Sequence, residues 1–167
     1  LKCSAKDGTG IDEILEAIVE RIPPPVGEAD EPLAALIFDA FYDAYRGTVI
    51  NCRIFHGEVK AGDTIRFMSN NSIYRVEEVG RFLLSRQKRD KLSAGEVGYI
   101  IAGVKTVSSV SIGDTITLDE RPCERPLPGF RKVKPVVFAS IYPISSDDYE
   151  DLSDALDKYK LNDAAFI

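Results

Sequence analysis

No apolar run in this 167-residue sequence approaches the ~20 residues that cross a bilayer, and Leu1-Lys2-Cys3-Ser4 shows no charged-then-apolar signal pattern. Neither export nor a transmembrane segment is expected. Cysteine is scarce. Cys3, Cys52 and Cys123 are odd in number, far apart and never in C-x-x-C spacing, which supports neither a disulfide framework nor a zinc site. Three reduced thiols of a cytoplasmic protein are expected instead. The single histidine, His56, follows Cys52 by four positions and precedes Gly57. A thiol–imidazole pair would also need an orienting group and an oxyanion site, so His56 reads as a hairpin-tip residue. No side chain is assigned a catalytic or metal-ligating role. The chain starts without methionine and ends on Ala164-Ala165-Phe166-Ile167, and so reads as an interior segment of a longer protein.

What the chain does contain is an ordinary soluble composition, 44% hydrophobic and 29% charged, enough for one full core. Its net charge of −6 is unevenly placed. Residues 1–31 carry 3 basic and 8 acidic side chains, residues 32–144 carry 16 and 12, and residues 145–167 carry 2 and 7. The basic excess lies in two stretches, Arg81 to Lys91 (Arg81, Arg86, Lys88, Arg89, Lys91) and Arg121 to Lys134. Such clusters can neutralise a phosphate backbone and release its counterions; a solvated loop is the plainer alternative.

Two proline-rich stretches, Pro23-Pro24-Pro25 and Arg121 to Gly129, read as linkers, because proline removes an amide donor and blocks helix continuation. Before the first, Ile11, Ile14, Leu15, Ile18, Val19 and Ile22 form the stripe of an amphipathic helix. Thr9 is its expected N-cap, with Asp12 and Glu13 on the positive end of the dipole. One short helix cannot shelter its own stripe, so a sheet that precedes it or the domain that follows it is expected to do so.

Between the linkers the period changes to two. Ile50, Cys52 and Ile54 alternate with Val49, Asn51, Arg53 and Phe55; Ile65, Phe67, Ile73, Tyr74, Val76 and Val79 follow, and Val97 to Val104 is nearly continuous. Turn signals at Arg46-Gly47, His56-Gly57, Gly62-Asp63, Asn70-Asn71, Ala94-Gly95 and Gly113-Asp114 favour a small antiparallel barrel. Gly62-Asp63-Thr64-Ile65 recurs as Gly113-Asp114-Thr115-Ile116, too short an echo to be a repeat. Beyond the second linker an apolar strand is expected over Val136 to Tyr142. A helix should follow, capped by Ser146 and carrying Tyr149, Leu152, Leu156 and Tyr159 on one face, and then a strand from about Ala164. The expected division is residues 1–25 (terminal loop and helix of a preceding domain), 26–32 (linker), 33–120 (barrel), 121–132 (linker) and 133–167 (half of a split β-α-β, ferredoxin-like fold).

Ser4-Ala5-Lys6, followed by Gly8-Thr9-Gly10-Ile11 and that helix, resembles the last nucleotide-binding motif of GTPases. Downstream, Tyr45-Arg46-Gly47-Thr48-Val49 and Gly57 to Asp63 resemble domain II of translational GTPases. Leu127-Pro128-Gly129-Phe130-Arg131-Lys132-Val133-Lys134-Pro135, then Tyr142-Pro143, Asp148-Tyr149, Asp154-Ala155-Leu156 and Leu161 to Ala164, resemble the elongation factor 4 family more than elongation factor G. The resemblance covers nearly the whole chain. Tyr159 departs from it, standing where that family would be expected to carry leucine.

The resemblance implies a parent GTPase that needs GTP and Mg2+, acts on tRNA-bound ribosomal complexes in back-translocation or remodelling, and works in the cytoplasm on the ribosome. A peripheral contact with the cytoplasmic membrane face is also compatible with it. Of the nucleotide site, only Ser4, Ala5 and Lys6 are present, as a residual guanine-recognition loop. The phosphate-cradling loop, the switch residues and the Asn-Lys-x-Asp motif are not in this sequence. The implied RNA face, toward the small ribosomal subunit, comprises Arg46, Gly47, Arg81, Arg86, Lys88, Arg89 and Lys91; DNA is not an expected partner. Two other readings compete. One is a structural connector that touches no RNA. The other is an independent enzyme built on Asp147, Asp148, Glu150 and Asp151, acids that helix capping and the dipole already explain.

Overall fold

The computed structural model describes residues 1–43, 45–104, 109–129 and 137–162. Ten strands follow an N-terminal helix, α1 (Ile11–Arg21): β1 (Ala34–Asp43), β2 (Gly47–His56), β3 (Glu58–Lys60), β4 (Thr64–Phe67), β5 (Ile73–Arg75), β6 (Glu78–Phe82), β7 (Arg86–Arg89), β8 (Lys91–Ser93), β9 (Val97–Ile101) and β10 (Thr115–Leu118). A short 3-10 turn at Ser146–Asp148 then leads into α2 (Tyr149–Asn162). Every ladder among the described residues is antiparallel. Eight strands lie in the order β5-β4-β10-β1-β2-β9-β6-β7, and β3 pairs with β8 beside them. The mainly β, antiparallel barrel expected from the period-two pattern and its turns is what the chain forms.

Alternation places Ile50, Cys52 and Ile54 of β2 inside, in one core with Leu33, Ile37, Ile65, Phe67, Leu92, Ile100 and Ile116. The opposite face of β2 is not the solvated one that simple alternation implies. Val49 is fully buried there with Tyr99 and Ile101, and Phe41 packs on them, so the centre of the sheet is covered on both sides. The turns follow from local backbone chemistry. Gly57 takes φ +74°, and a Cβ there would lie 2.6 Å from the Leu33 Cα, so only glycine fits between β2 and the chain entering β1. The two Gly-Asp-Thr-Ile segments prove to be equivalent turns feeding adjacent strands. Asp63 N–H donates to the Lys60 carbonyl and Asp114 N–H to that of Ser111, and β4 then pairs with β10 through Ile116 opposite Phe67.

Outside the barrel four expectations change. The N-cap of α1 is Gly10 in the left-handed region, not Thr9, because the Thr9 carbonyl is engaged by the Ser4 N–H at 2.9 Å and closes the preceding loop. Asp12 and Glu13 do occupy the first turn. The stripe of α1 is mostly uncovered among the described residues: Ile11 and Ile14 are half-buried, and Leu15, Ile18, Val19 and Ile22 are exposed. The cap before α2 is Ser145, whose Oγ accepts the Asp147 N–H, because the 3-10 turn starts the helical path a residue earlier than Ser146 could cap it. Finally, residues 137–142 form no strand, and Val137, Phe138, Ile141 and Tyr142 are exposed. A strand needs a partner's amides and carbonyls, and among the described residues no ladder reaches this segment. The strand expected from about Ala164 lies outside the described residues. On α2, Leu152 and Leu156 are half-buried while Tyr149 and Tyr159 remain exposed, and the helix lies against β1 with Lys158 Nζ 5.4 Å from the Tyr42 ring centroid.

Candidate nucleic-acid interface

The β1–β2 connection is organised by one carboxylate. Asp43 Oδ1 accepts the Tyr45 N–H at 3.0 Å and the Arg46 N–H at 3.2 Å, and Oδ2 accepts Arg86 Nη2 at 3.1 Å. These interactions, the Tyr45 amide first and the Arg86 side chain next, hold the Asp43 carboxyl below its ordinary value. Gly47 then takes φ +75° and starts β2. Arg46 reaches across to β6, where Glu78 Oε1 accepts its Nη1 at 3.1 Å and the Tyr99 hydroxyl at 2.8 Å. Burial, reinforced by Glu78, pushes the Tyr99 phenol up to about 12. Tyr99 can lie there because Gly80 faces it in the ladder, where an added Cβ would meet the ring at 2.5 Å.

Next to this network stands β7, the last strand of the sheet, bonded among the described residues on one side, to β6. All four of its residues are exposed. Charged side chains on such a strand also discourage edge-to-edge association, so exposure alone does not assign them to RNA. The Arg86 guanidinium lies 5.8 Å from the Phe41 ring centroid, while Lys88 and Arg89 have no ion pair among the described residues. The expected basic cluster is thus divided. Arg86, Lys88 and Arg89 share β7 and approach Arg46 through Asp43. Arg81 is on β6, with its Nε buried and without a hydrogen-bond partner among the described residues. Lys91 belongs to β8 in the smaller sheet, where Glu58 Oε2 accepts its Nζ at 2.6 Å and raises its pKa. Of the second basic stretch, Arg131, Lys132 and Lys134 lie outside the described residues.

Ser4, Ala5 and Lys6 form a separate small loop. Ser4 Oγ donates to Asp7 Oδ2 at 2.9 Å, and the Gly8 N–H returns to the Ser4 carbonyl at 2.9 Å. Among the described residues no hydrogen bond joins this loop to the barrel, and no group of three or more acidic, cysteine or histidine side chains could hold a metal ion. The phosphate-cradling loop, the switch residues and the Asn-Lys-x-Asp motif are not in this sequence, so no GTP chemistry is assigned to Ser4, Ala5 and Lys6. The Cys52–His56 pair carries no chemistry either. Cys52 is fully buried in the core, which pushes its thiol up to about 12, and His56 Nδ1 faces the Glu31 carboxylate. No helix among the described residues is long and apolar enough to cross a membrane.

Comparison with known proteins places the barrel first by class. The family model described as elongation factor Tu domain 2 matches residues 47–117, from the start of β2 into β10. The whole chain is similar to one stretch of the elongation factor 4 proteins. It is 75% identical to elongation factor 4 of Syntrophus aciditrophicus (strain SB) over all 167 residues, 28% of that protein. It is 66% identical to that of Syntrophobacter fumaroxidans over 99% of the chain, and 58% identical to that of Desulfosudis oleivorans over the whole chain. In each case it spans 28% of the relative's length. The resemblance to elongation factor 4 read from the linker and helix residues therefore holds along the entire chain.

Proposed function

We propose that this chain is a ribosome-contacting, domain-coupling part of a translational GTPase of the elongation factor 4 kind, with no GTP hydrolysis of its own. The observation that carries the reading is the exposed cationic edge strand β7, joined through Asp43 to the Arg46 loop of a barrel similar to elongation factor Tu domain 2. The partner is small-subunit ribosomal RNA, met by Arg46, Arg86, Lys88 and Arg89. Gly47 shapes the loop; Arg81 and Lys91 lie at the margin. The parent protein binds GTP and Mg2+ through residues outside this chain, with Ser4 to Lys6 completing the guanine pocket. It works in the cytoplasm on tRNA-bound ribosomes, in back-translocation or remodelling.

Counterion release supplies the test. Replacing Arg86, Lys88 and Arg89 with alanine in the full-length protein should weaken ribosome binding at low salt and flatten the dependence of log affinity on log salt, by ~2 to 3 for three lost phosphate contacts. An unchanged affinity and slope would remove β7 from the interface. The connector reading draws on the contact of α2 with β1, where Lys158 lies over Tyr42. Protection of the 43–47 and 82–89 amides from hydrogen exchange on ribosome binding separates the two, because a pure connector leaves them unprotected.

A further inference from the structure

Tyr45 is 99% exposed, more than any other aromatic residue described, and its ring meets no aromatic or cationic partner among the described residues. Its backbone is nevertheless held. The Asp43 carboxylate accepts the amides of Tyr45 and Arg46 with one oxygen and Arg86 with the other, so the loop is fastened to β1 and β7 together. A bare ring on a fastened backbone loses little further freedom when something stacks on it. The charges beside it have one sign to spare. Arg46 and Arg86 are partly exposed, and Lys88, two positions from Arg86 and so on the same face of β7, has no ion-pair partner among the described residues, whereas Arg89, opposite Val79, lies on the other face. An aromatic face next to a row of cations fits a nucleotide whose base is out of the helical stack and whose neighbouring phosphates follow the cations. A duplex offers phosphates but keeps its base faces stacked, and an acidic peptide would use the cations while leaving the ring unused.

We propose that Tyr45 is a stacking platform for an unpaired base of ribosomal RNA. Lys88 holds a flanking phosphate, and the Asp43–Arg86 pair positions the loop against the strand. The inference rests on the ribosome-contacting reading above.

The experiment uses the full-length protein and isolated small ribosomal subunits, with equilibrium binding and base-specific chemical footprinting on the same samples. Tyr45→Leu should weaken binding by about tenfold, keep the salt slope of the unsubstituted protein, and lose protection at one unpaired base. Tyr45→Phe, which keeps the stacking face, should restore affinity and footprint. Lys88→Ala should instead lower the salt slope by about 0.7, the single-strand value for one phosphate. Thermal unfolding of each variant checks that the exposed substitutions leave the barrel folded. Binding by Tyr45→Leu within about twofold of the original, or an unchanged footprint, overturns the platform while leaving the ribosome reading intact. Protection that maps to a ribosomal protein instead of a base overturns it as well. Failure of the unsubstituted protein to bind subunits overturns both.

Discussion

Asp43 on β1 and Arg86 on β7 meet at 3.1 Å across 43 residues of sequence, and the same carboxylate shapes the loop that carries Tyr45 and Arg46. One side chain thus sets both the local turn and the place of the cationic edge strand. Because the folded carboxyl lies below its ordinary value, this contribution to stability is present above the unfolded value of 3.8 and is lost as pH falls through the lower folded value. Asp43→Asn should therefore lower the thermal midpoint at pH 7 and show a smaller further loss between pH 4 and pH 2 than the original chain. Parallel melting curves across that range check it.

Alkaline pH should act through Tyr99 and Cys52. Both folded groups titrate at about 12, above their ordinary values of 10.0 and 9.0. Their protonated forms are favoured in the fold, so stability is full below the unfolded values and falls as pH rises through 9 and 10 toward 12. Tyr99→Phe removes one of these protons and should reduce the alkaline loss, at a cost of about 1 kcal/mol at neutral pH for the bond to Glu78. Denaturant titrations at pH 7 and pH 10.5 measure both effects.

Gly80→Ala tests the packing beneath β7. The new methyl would stand 2.4 Å from the Gln87 carbonyl oxygen and 2.5 Å from the Tyr99 ring, both fixed by the ladder. A loss of about 1–3 kcal/mol is expected, with faster hydrogen exchange in β7, because the strand or the ring must move. Wild-type stability and exchange would mean that neither is held there.

The two Gly-Asp-Thr-Ile turns should differ in weight despite their likeness. Asp114 is buried and accepts the amides of Ser69 and Thr115 and the Ser69 hydroxyl, whereas Asp63 receives the Lys60 amide at an exposed turn. Asp114→Ala should cost about 1–3 kcal/mol, since it leaves the buried Thr115 amide and the part-buried Ser69 donors without partners, and Asp63→Ala about 1 kcal/mol or less. Urea midpoints of the two variants decide it.

Much of the barrel was legible because its causes are local. Turn glycines and asparagine occur where the backbone takes positive φ, and the alternation around Ile50, Cys52 and Ile54 points the same residues inward in the structure. Misreadings fell where a neighbour decides. Alternation alone does not show that Tyr99, Ile101 and Phe41 close over Val49, and Val136 to Tyr142 reads as a strand although among the described residues no ladder reaches 137–142. Thr9 and Ser146 are good capping residues in isolation. One is overruled by loop closure at Ser4 and the other by a 3-10 turn.

The candidate interface divides in the same way. Arg46 and the 81–91 cations are visible as charge, but sequence does not show that Lys91 is taken up by Glu58, 33 positions away, or that Arg86 is drawn to Asp43. Nor does composition single out Tyr45, whose interest comes from being bare while its backbone is held. The sequence by itself determined where most of the barrel's turns form and which residues of β2 face its core, because φ preferences and side-chain period act within a few residues. Only the tertiary structure decided which charges are spent on one another and which remain on the edge strand, because ion pairing depends on distances that the order of the sheet creates.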